Sequence, residues 1–118
     1  MLRSKFIAGC RPHPKEPVTY FDLFGNLYDL EDCQKFARRI ENEIGRGHSR
    51  LVFDLSMLVG IGMNGIRLID WTDRLSRTYF GNVTLLGVPP EICARIVAKP
   101  WYLQRLLGHV VFATVGAL

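Results

Sequence analysis

A mixed α/β domain with a mostly parallel sheet is the fold class this sequence predicts, and three observations carry it. Leu30, Cys33, Phe36, Ala37, Ile40 and Ile44 recur at three- and four-residue steps, the spacing of one apolar helix face. Leu51–Leu55 is apolar on both sides of the pleat apart from Asp54, as in a strand covered on both faces. Segments of these two kinds alternate in the order β-β-α-β-α-β-α-β without internal repeats, a pattern that builds parallel strands with helices packed against them. The expected architecture has about four to five strands flanked by about three to four helices, with an antiparallel contribution near the N-terminus. A chain of 118 residues is enough for one core and too short for two, so one domain over residues 1–118 is expected.

Each element has its own local reason. Lys5–Gly9 reads as a short edge strand, and Pro12, Pro14 and Pro17 mark an extended connection, so residues 1–17 form an edge strand and a Pro-rich link. Val18–Phe24 is rich in β-branched and aromatic residues and reads as a strand that Gly25-Asn26 breaks. The helix through Ile44 has Asp29 as candidate N-cap, Glu31 and Asp32 in its first turn, and Gly45 and Gly47 as its stop. After the central strand Leu51–Leu55, a second helix is expected over Gly65–Tyr79. Its apolar side would hold Leu68, Ile69, Trp71, Leu75 and Tyr79, and its wet stripe Arg67, Asp70, Arg74 and Arg77. Val83–Val88 is another two-sided strand, closed by Pro89-Pro90. Glu91–Val97 reads as a short helix, Lys99-Pro100 as an interruption, Trp101–Leu107 as a further turn or two, and His109–Val115 as a final strand.

Composition narrows the classes of function. Net charge is +4 and the isoelectric point is near 9.2. The basic groups Lys35/Arg38/Arg39 and Arg67/Arg74/Arg77 are interleaved with Asp32, Glu41, Asp70 and Asp73, which reads as mixed-charge helix surface, and no nucleic-acid partner is expected. Cys10, Cys33 and Cys93 lie far apart with no Cys-x-x-Cys spacing, and His13, His48 and His109 pair with none of them. No zinc site, disulfide framework or cofactor is therefore expected, and free thiols fit a reducing cytoplasm. Ile7-Ala-Gly-Cys10 matches the short pattern before a lipid-modified cysteine, but the apolar stretch Phe6–Gly9 is far below the roughly 7–15 residues of a signal peptide. No run reaches the roughly 20 apolar residues of a membrane span, so no direct membrane insertion is expected.

The segment between the central strand and the second helix carries the functional question. Gly60-Ile-Gly62-Met-Asn-Gly65 satisfies G-x-G-x-x-G, the dinucleotide pattern. That pattern needs the strand to run straight into its first glycine, whereas Asp54 and Ser56 end the apolar run earlier. It also needs an acid at the end of the next strand, where Gly87-Val88-Pro89-Pro90 offers none. A plainer reading makes the glycines a tight turn and Asn64 the helix N-cap, leaving first-turn N–H groups for whatever docks there. Asp54 invites comparison with a receiver-type phosphoacceptor, but the acidic pair and the lysine such a site needs are missing.

Leu51-Val-Phe-Asp-Leu-Ser56, the glycine-bearing loop and the helix after Gly65 together resemble the signature of the STAS domain family (sulphate transporter and anti-sigma factor antagonist). Phe21-Asp-Leu-Phe-Gly25-Asn-Leu27-Tyr-Asp29 is similar to that family's early strand and turn. Asn82-Val-Thr-Leu-Leu-Gly-Val88-Pro-Pro-Glu91 follows in family order, so the resemblance covers nearly the whole chain. In that family an Asp-Ser-Ser-Gly loop carries a phosphorylated serine beside the glycine. Here Gly62, Met63 and Asn64 stand in the three preceding places, so the resemblance implies a divergent member with no phosphosite at this loop. Of the nearby hydroxyls, Ser56 is expected to bond within its own turn and Thr72 to lie beside the apolar face; Ser76 is the third.

What the resemblance implies is a non-enzymatic, cytoplasmic, bacterial protein-interaction module of the anti-sigma factor antagonist type, acting in transcriptional regulation. Its partner would be an anti-sigma factor or serine-kinase-like regulator, held through Gly62, Met63, Asn64, Gly65, Arg67, Asp70 and Arg74. Asn64 carries no charge, which mimics the unphosphorylated and hence binding-competent state. Two alternatives remain: a cytosolic STAS subunit of a membrane lipid-transport complex, and a small nucleotide-binding protein using Gly60–Gly65.

Overall fold

The computed structural model describes residues 5–98, 107, 108 and 110–113, which form one five-stranded sheet and three helices. In chain order these are β1 (Ile7–Pro12), β2 (Thr19–Leu27), α1 (Leu30–Gly45), β3 (Arg50–Ile61), α2 (Met63–Thr78), β4 (Asn82–Leu86), α3 (Pro90–Val97) and β5 (Val111–Ala113). The strands lie side by side in sequence order; β1 runs antiparallel to β2 and every other neighbouring pair is parallel. Parallel neighbours need a crossover between them, and α1 and α2 supply the first two. The mixed, mostly parallel sheet expected from sequence is the one found.

Burial explains why the chain settles this way. Phe21 on β2 and Phe53 on β3 are register partners, both fully buried, and Phe36 of α1 drops onto them with ring centroids 5.2 Å from Phe21 and 5.4 Å from Phe53. Cys33, Ile40 and Ile44 extend that apolar face of α1, and Ile66 and Ile69 of α2 join the same core beside Val83 and Leu85 of β4. Edge-to-face pairs such as Phe21–Phe36 and Phe21–Phe53 add about 0.5–1.5 kcal/mol beyond area burial, and with the tilted Phe36–Phe53 contact the triad anchors α1 on the sheet. Asp29 holds the N-cap position of α1, with Glu31 and Asp32 in the first turn as expected.

Several boundaries differ from expectation, each for a visible reason. Gly25-Asn26 does not break β2. Gly25 adopts a positive φ of 84° within a strand that continues to Leu27, and a Cβ there would meet the Lys5 carbonyl oxygen. Asp54-Leu-Ser56 does not end β3 either. The pairing steps from Asp22↔Asp54 to Phe24↔Met57, so β3 carries an extra residue at this point. Asp54 Oδ1 accepts from both the Ser56 N–H (2.9 Å) and the Ser56 hydroxyl (2.6 Å), which locks the irregularity. It is a β-bulge, a device that bends a strand without ending it. A second shift follows between Gly25 and Asn26, and pairing resumes to Leu27↔Ile61.

Because β3 runs to Ile61, the loop expected at Gly60–Gly65 shrinks to Gly62. Helix α2 begins at Met63, two residues earlier than expected, with Gly62 rather than Asn64 as N-cap. It ends at Thr78, leaving Tyr79 as an exposed C-cap instead of part of the apolar face. The first strand is shifted to Ile7–Pro12, with Pro12 at the last position of an edge strand, where its missing donor costs least. β4 stops at Leu86, before the expected end, as Gly87 turns to positive φ. β5 covers Val111–Ala113 of the expected final strand; residues 109 and 114–118 lie outside the described residues, as does the expected turn at 101–106. Among the described residues no helix is long and apolar enough to cross a membrane.

Candidate functional site

The junction of β3 and α2 is built by close backbone approach. Gly62 N–H donates to the Leu27 carbonyl at 3.1 Å, tying the start of α2 to the end of β2. Gly65 is buried directly above the same carbonyl: a Cβ on it would lie 2.7 Å from Leu27 O and 2.6 Å from Ile61 Cγ1. Only glycine fits that contact. Gly60 and Gly62 make room for something else, the Tyr28 side chain. A Cβ on Gly60 would fall 2.2 Å from the Tyr28 hydroxyl, and one on Gly62 would fall 3.0 Å from the Tyr28 ring. Tyr28 is exposed, and its backbone carbonyl accepts from the Asn64 side-chain amide at 3.2 Å. The glycines of the G-x-G-x-x-G pattern therefore serve a tyrosine of this chain and a helix–strand contact.

Tyr28 carries no signal in the sequence beyond its place in the turn; Trp71, expected on the apolar side of α2, is half-buried and packs in part against the core. Met63 is partly buried against the core while Asn64 is exposed, in the first turn of α2 and not its cap. Down the helix at three- and four-residue steps follow Arg67, Trp71 and Arg74, which share one face. Arg67 and Arg74 are exposed and Trp71 is half-buried. Of the seven expected contact residues, the structure thus leaves Asn64, Arg67 and Arg74 outward, Gly62 and Met63 partly so, and Gly65 and Asp70 inside.

Asp70 is the larger correction. It was expected on the wet stripe and is 6% exposed. Its Oδ1 accepts from the Leu107 N–H at 3.0 Å and its Oδ2 pairs with Arg74 at 2.7 Å, so it ties the C-terminal segment to α2. Asp73 is also inside at 2% exposure, pairing with Arg77 through Oδ2, while its Oδ1 has no hydrogen-bond partner among the described residues. A buried carboxylate demands hydrogen-bonded partners, which is why both reach for arginines one turn on.

The remaining hydroxyls are occupied. Ser56 bonds Asp54 in the bulge, Thr72 donates to the Leu68 carbonyl at 2.7 Å, and Ser76 donates to the Asp73 carbonyl at 2.8 Å; the last two are fully buried. A groove of about 540 Å³ lies between the Ser56 bulge, Gly87–Pro90, Cys93 and β5. Its walls are mainly apolar. Among the described residues no group of His, Cys, Asp or Glu is arranged to hold a metal ion.

No family model matches the chain, and no curated protein matches it in sequence. Solved structures do. The chain is similar to the Bacillus cell-fate determinant SpoIIAA in its phosphorylated form, at 19% identity over 93% of this chain and 92% of that one, with a TM-score of 0.64. A Thermotoga maritima protein assigned as an anti-sigma factor antagonist gives 14% identity over 90% and 85%, with a TM-score of 0.70. The murine anion transporter Slc26a9 gives 15% identity and a TM-score of 0.65 over 92% of this chain but only 20% of its own length. At these identities the likeness is one of fold, and the chain has the STAS-like fold of the anti-sigma factor antagonist SpoIIAA.

Proposed function

We propose that this chain is a non-enzymatic protein-interaction module of the anti-sigma factor antagonist type that docks its partner on the start and outer face of α2. The observation that carries the reading is the placement of Asn64. It stands on the surface in the first turn of α2, the point to which the resemblance assigns the regulatory serine, with its amide held to the Tyr28 carbonyl. A phosphate there would add nearly two negative charges at a helix N-terminus. Asn64 cannot carry one, so the surface stays in its uncharged form and binding does not depend on a kinase. Gly62, Met63, Arg67 and Arg74 complete the contact surface; Gly65 and Asp70 act beneath it by fixing the backbone and Arg74. The partner under this reading is an anti-sigma factor or related serine-kinase-like regulator.

Likeness to one fifth of an anion transporter favours a second reading, a STAS subunit of a membrane transport complex. The nucleotide reading loses its main support, since Tyr28 fills the space beside Gly60 and Gly62. Affinity capture from native lysate separates the two that remain, using wild type and Asn64→Asp as baits and mass spectrometry for identification. A kinase-like regulator retained by wild type and lost by Asn64→Asp supports the antagonist reading. Transport ATPase or permease subunits support the second. Partners held equally by both baits would place docking elsewhere and contradict the site.

A further inference from the structure

We infer that the outer face of α2 recognises an acidic protein segment, with Trp71 as the apolar anchor and Arg67 and Arg74 as flanking cations; this rests on the docking site proposed above. By sequence α2 carries nearly balanced charge, three arginines against two aspartates. The fold sorts them by depth. Asp70 and Asp73 are buried, while Arg67, Arg74 and Arg77 are exposed. Arg74 and Arg77 each pair with one of the buried aspartates. The solvent side of the helix therefore presents guanidinium groups while its carboxylates lie beneath them, and Arg67 supplies the uncompensated charge. Arg67 has no ion-pair partner among the described residues, and Arg74 leans on Asp70 with 71% of its side chain still exposed.

Trp71 lies between the two arginines at the border of that face, half-buried and packed in part against the core, as is Leu75 beside it, so part of the indole stays open to a partner. Tryptophan and arginine are the residues most enriched where binding energy concentrates, because one offers a large rigid apolar area and the other a forked donor for carboxylates. Charge complementarity selects the occupant. A second copy of this chain would set arginines against arginines. Nucleic acid needs a longer track of cations, on the order of 6–10 phosphate contacts for strong binding. An interfacial membrane helix needs a free apolar face, and that of α2 is spent on the core. A protein segment with carboxylates flanking an apolar side chain meets all three groups.

The probe is a displayed library of random linear peptides, panned against the whole chain as wild type, Arg67→Glu and Asn64→Trp. Both substitutions sit on exposed side chains and leave the core untouched. Enrichment of acidic peptides bearing an apolar residue is expected. A selected peptide should bind Arg67→Glu at least about tenfold more weakly, and should weaken as salt rises. Peptides of no charge bias that Asn64→Trp blocks and Arg67→Glu does not would overturn the acidic specificity and leave the docking site standing. Peptides blocked by neither variant would overturn both. No enrichment, or Arg67-dependent binding of phosphatidylglycerol vesicles or short duplex DNA in place of peptides, would overturn the inference.

Discussion

Gly65→Ala sets two effects of opposite sign against each other at the joint on which the site depends. In a free helix the change would help, since Gly is about 0.8–1.0 kcal/mol worse than Ala in a helix interior and less so in a first turn. Here the new methyl would sit 2.7 Å from Leu27 O and 2.6 Å from Ile61 Cγ1. The Ile61 side chain can rotate aside, but the Leu27 carbonyl is fixed in β2 and already accepts from Gly62 N–H. Ordinary contact needs about 0.7 Å more room at that oxygen, which means lifting the start of α2 off the sheet. Overpacking of this kind costs about 1–3 kcal/mol, and straining the Gly62 bond adds up to about 1 kcal/mol. The cost wins, and a net loss of about 1–2 kcal/mol is expected. Urea unfolding followed by circular dichroism reads it as a lower midpoint at unchanged slope. An unchanged or raised midpoint would refute the close approach of α2 to β2.

Asp70→Ala removes the acceptor of the buried Leu107 N–H and should cost about 1–3 kcal/mol by the same assay, whereas truncating exposed Arg67 should cost under about 0.5 kcal/mol. Burial, helped by the nearby Asp32 and Asp29 carboxylates, pushes the Cys33 thiol from 9.0 up to about 11. The folded state therefore holds this proton longer than the unfolded chain, so the contribution is fully present below about pH 9 and is lost as pH rises toward 11. Stability measured across that window should fall, and Cys33→Ala should flatten this part of the profile. Incubation with an anti-sigma-type serine kinase and ATP should leave residues 60–65 unmodified, and Thr72 and Ser76 should stay unmodified while the chain is folded, as peptide mapping would show.

The sequence carried α1 and the core of the sheet because their signals are periodic and local: Cys33, Phe36, Ile40 and Ile44 fall at helical spacing and are the buried residues of α1. The β3–α2 joint is not legible in the sequence because Asp54-Leu-Ser56 has the chemistry of a strand end. Only the partner strand shows that its side-chain bonds lock a bulge within a longer strand. Asn64 likewise has the chemistry of an N-cap, but the longer strand moved that position to Gly62. Arginines and aspartates on α2 looked like one wet stripe because helical spacing cannot tell how far a second element reaches around the helix. Leu107 covers Asp70, and that contact spans 37 residues of sequence. Gly60 and Gly62 read from sequence as a tight turn, and nothing local names Tyr28 as the side chain that lies against them.

The affinity of the captured partner for Asn64→Asp against wild type tests docking at the start of α2 most directly. Aspartate gives up the amide N–H that Asn64 donates to the Tyr28 carbonyl, worth about 0.5–1.5 kcal/mol, and regains about 0.3–1 kcal/mol from its charge beside the helix N-terminus, so stability should move by about 1 kcal/mol at most. The variant does put a negative charge where the regulatory phosphate would stand. Binding should fall by about 1–3 kcal/mol, on the order of 5- to 150-fold in Kd by titration calorimetry, while Asn64→Ser retains wild-type affinity. Equal affinities for Asn64→Asp and wild type, at equal stability, would contradict the account.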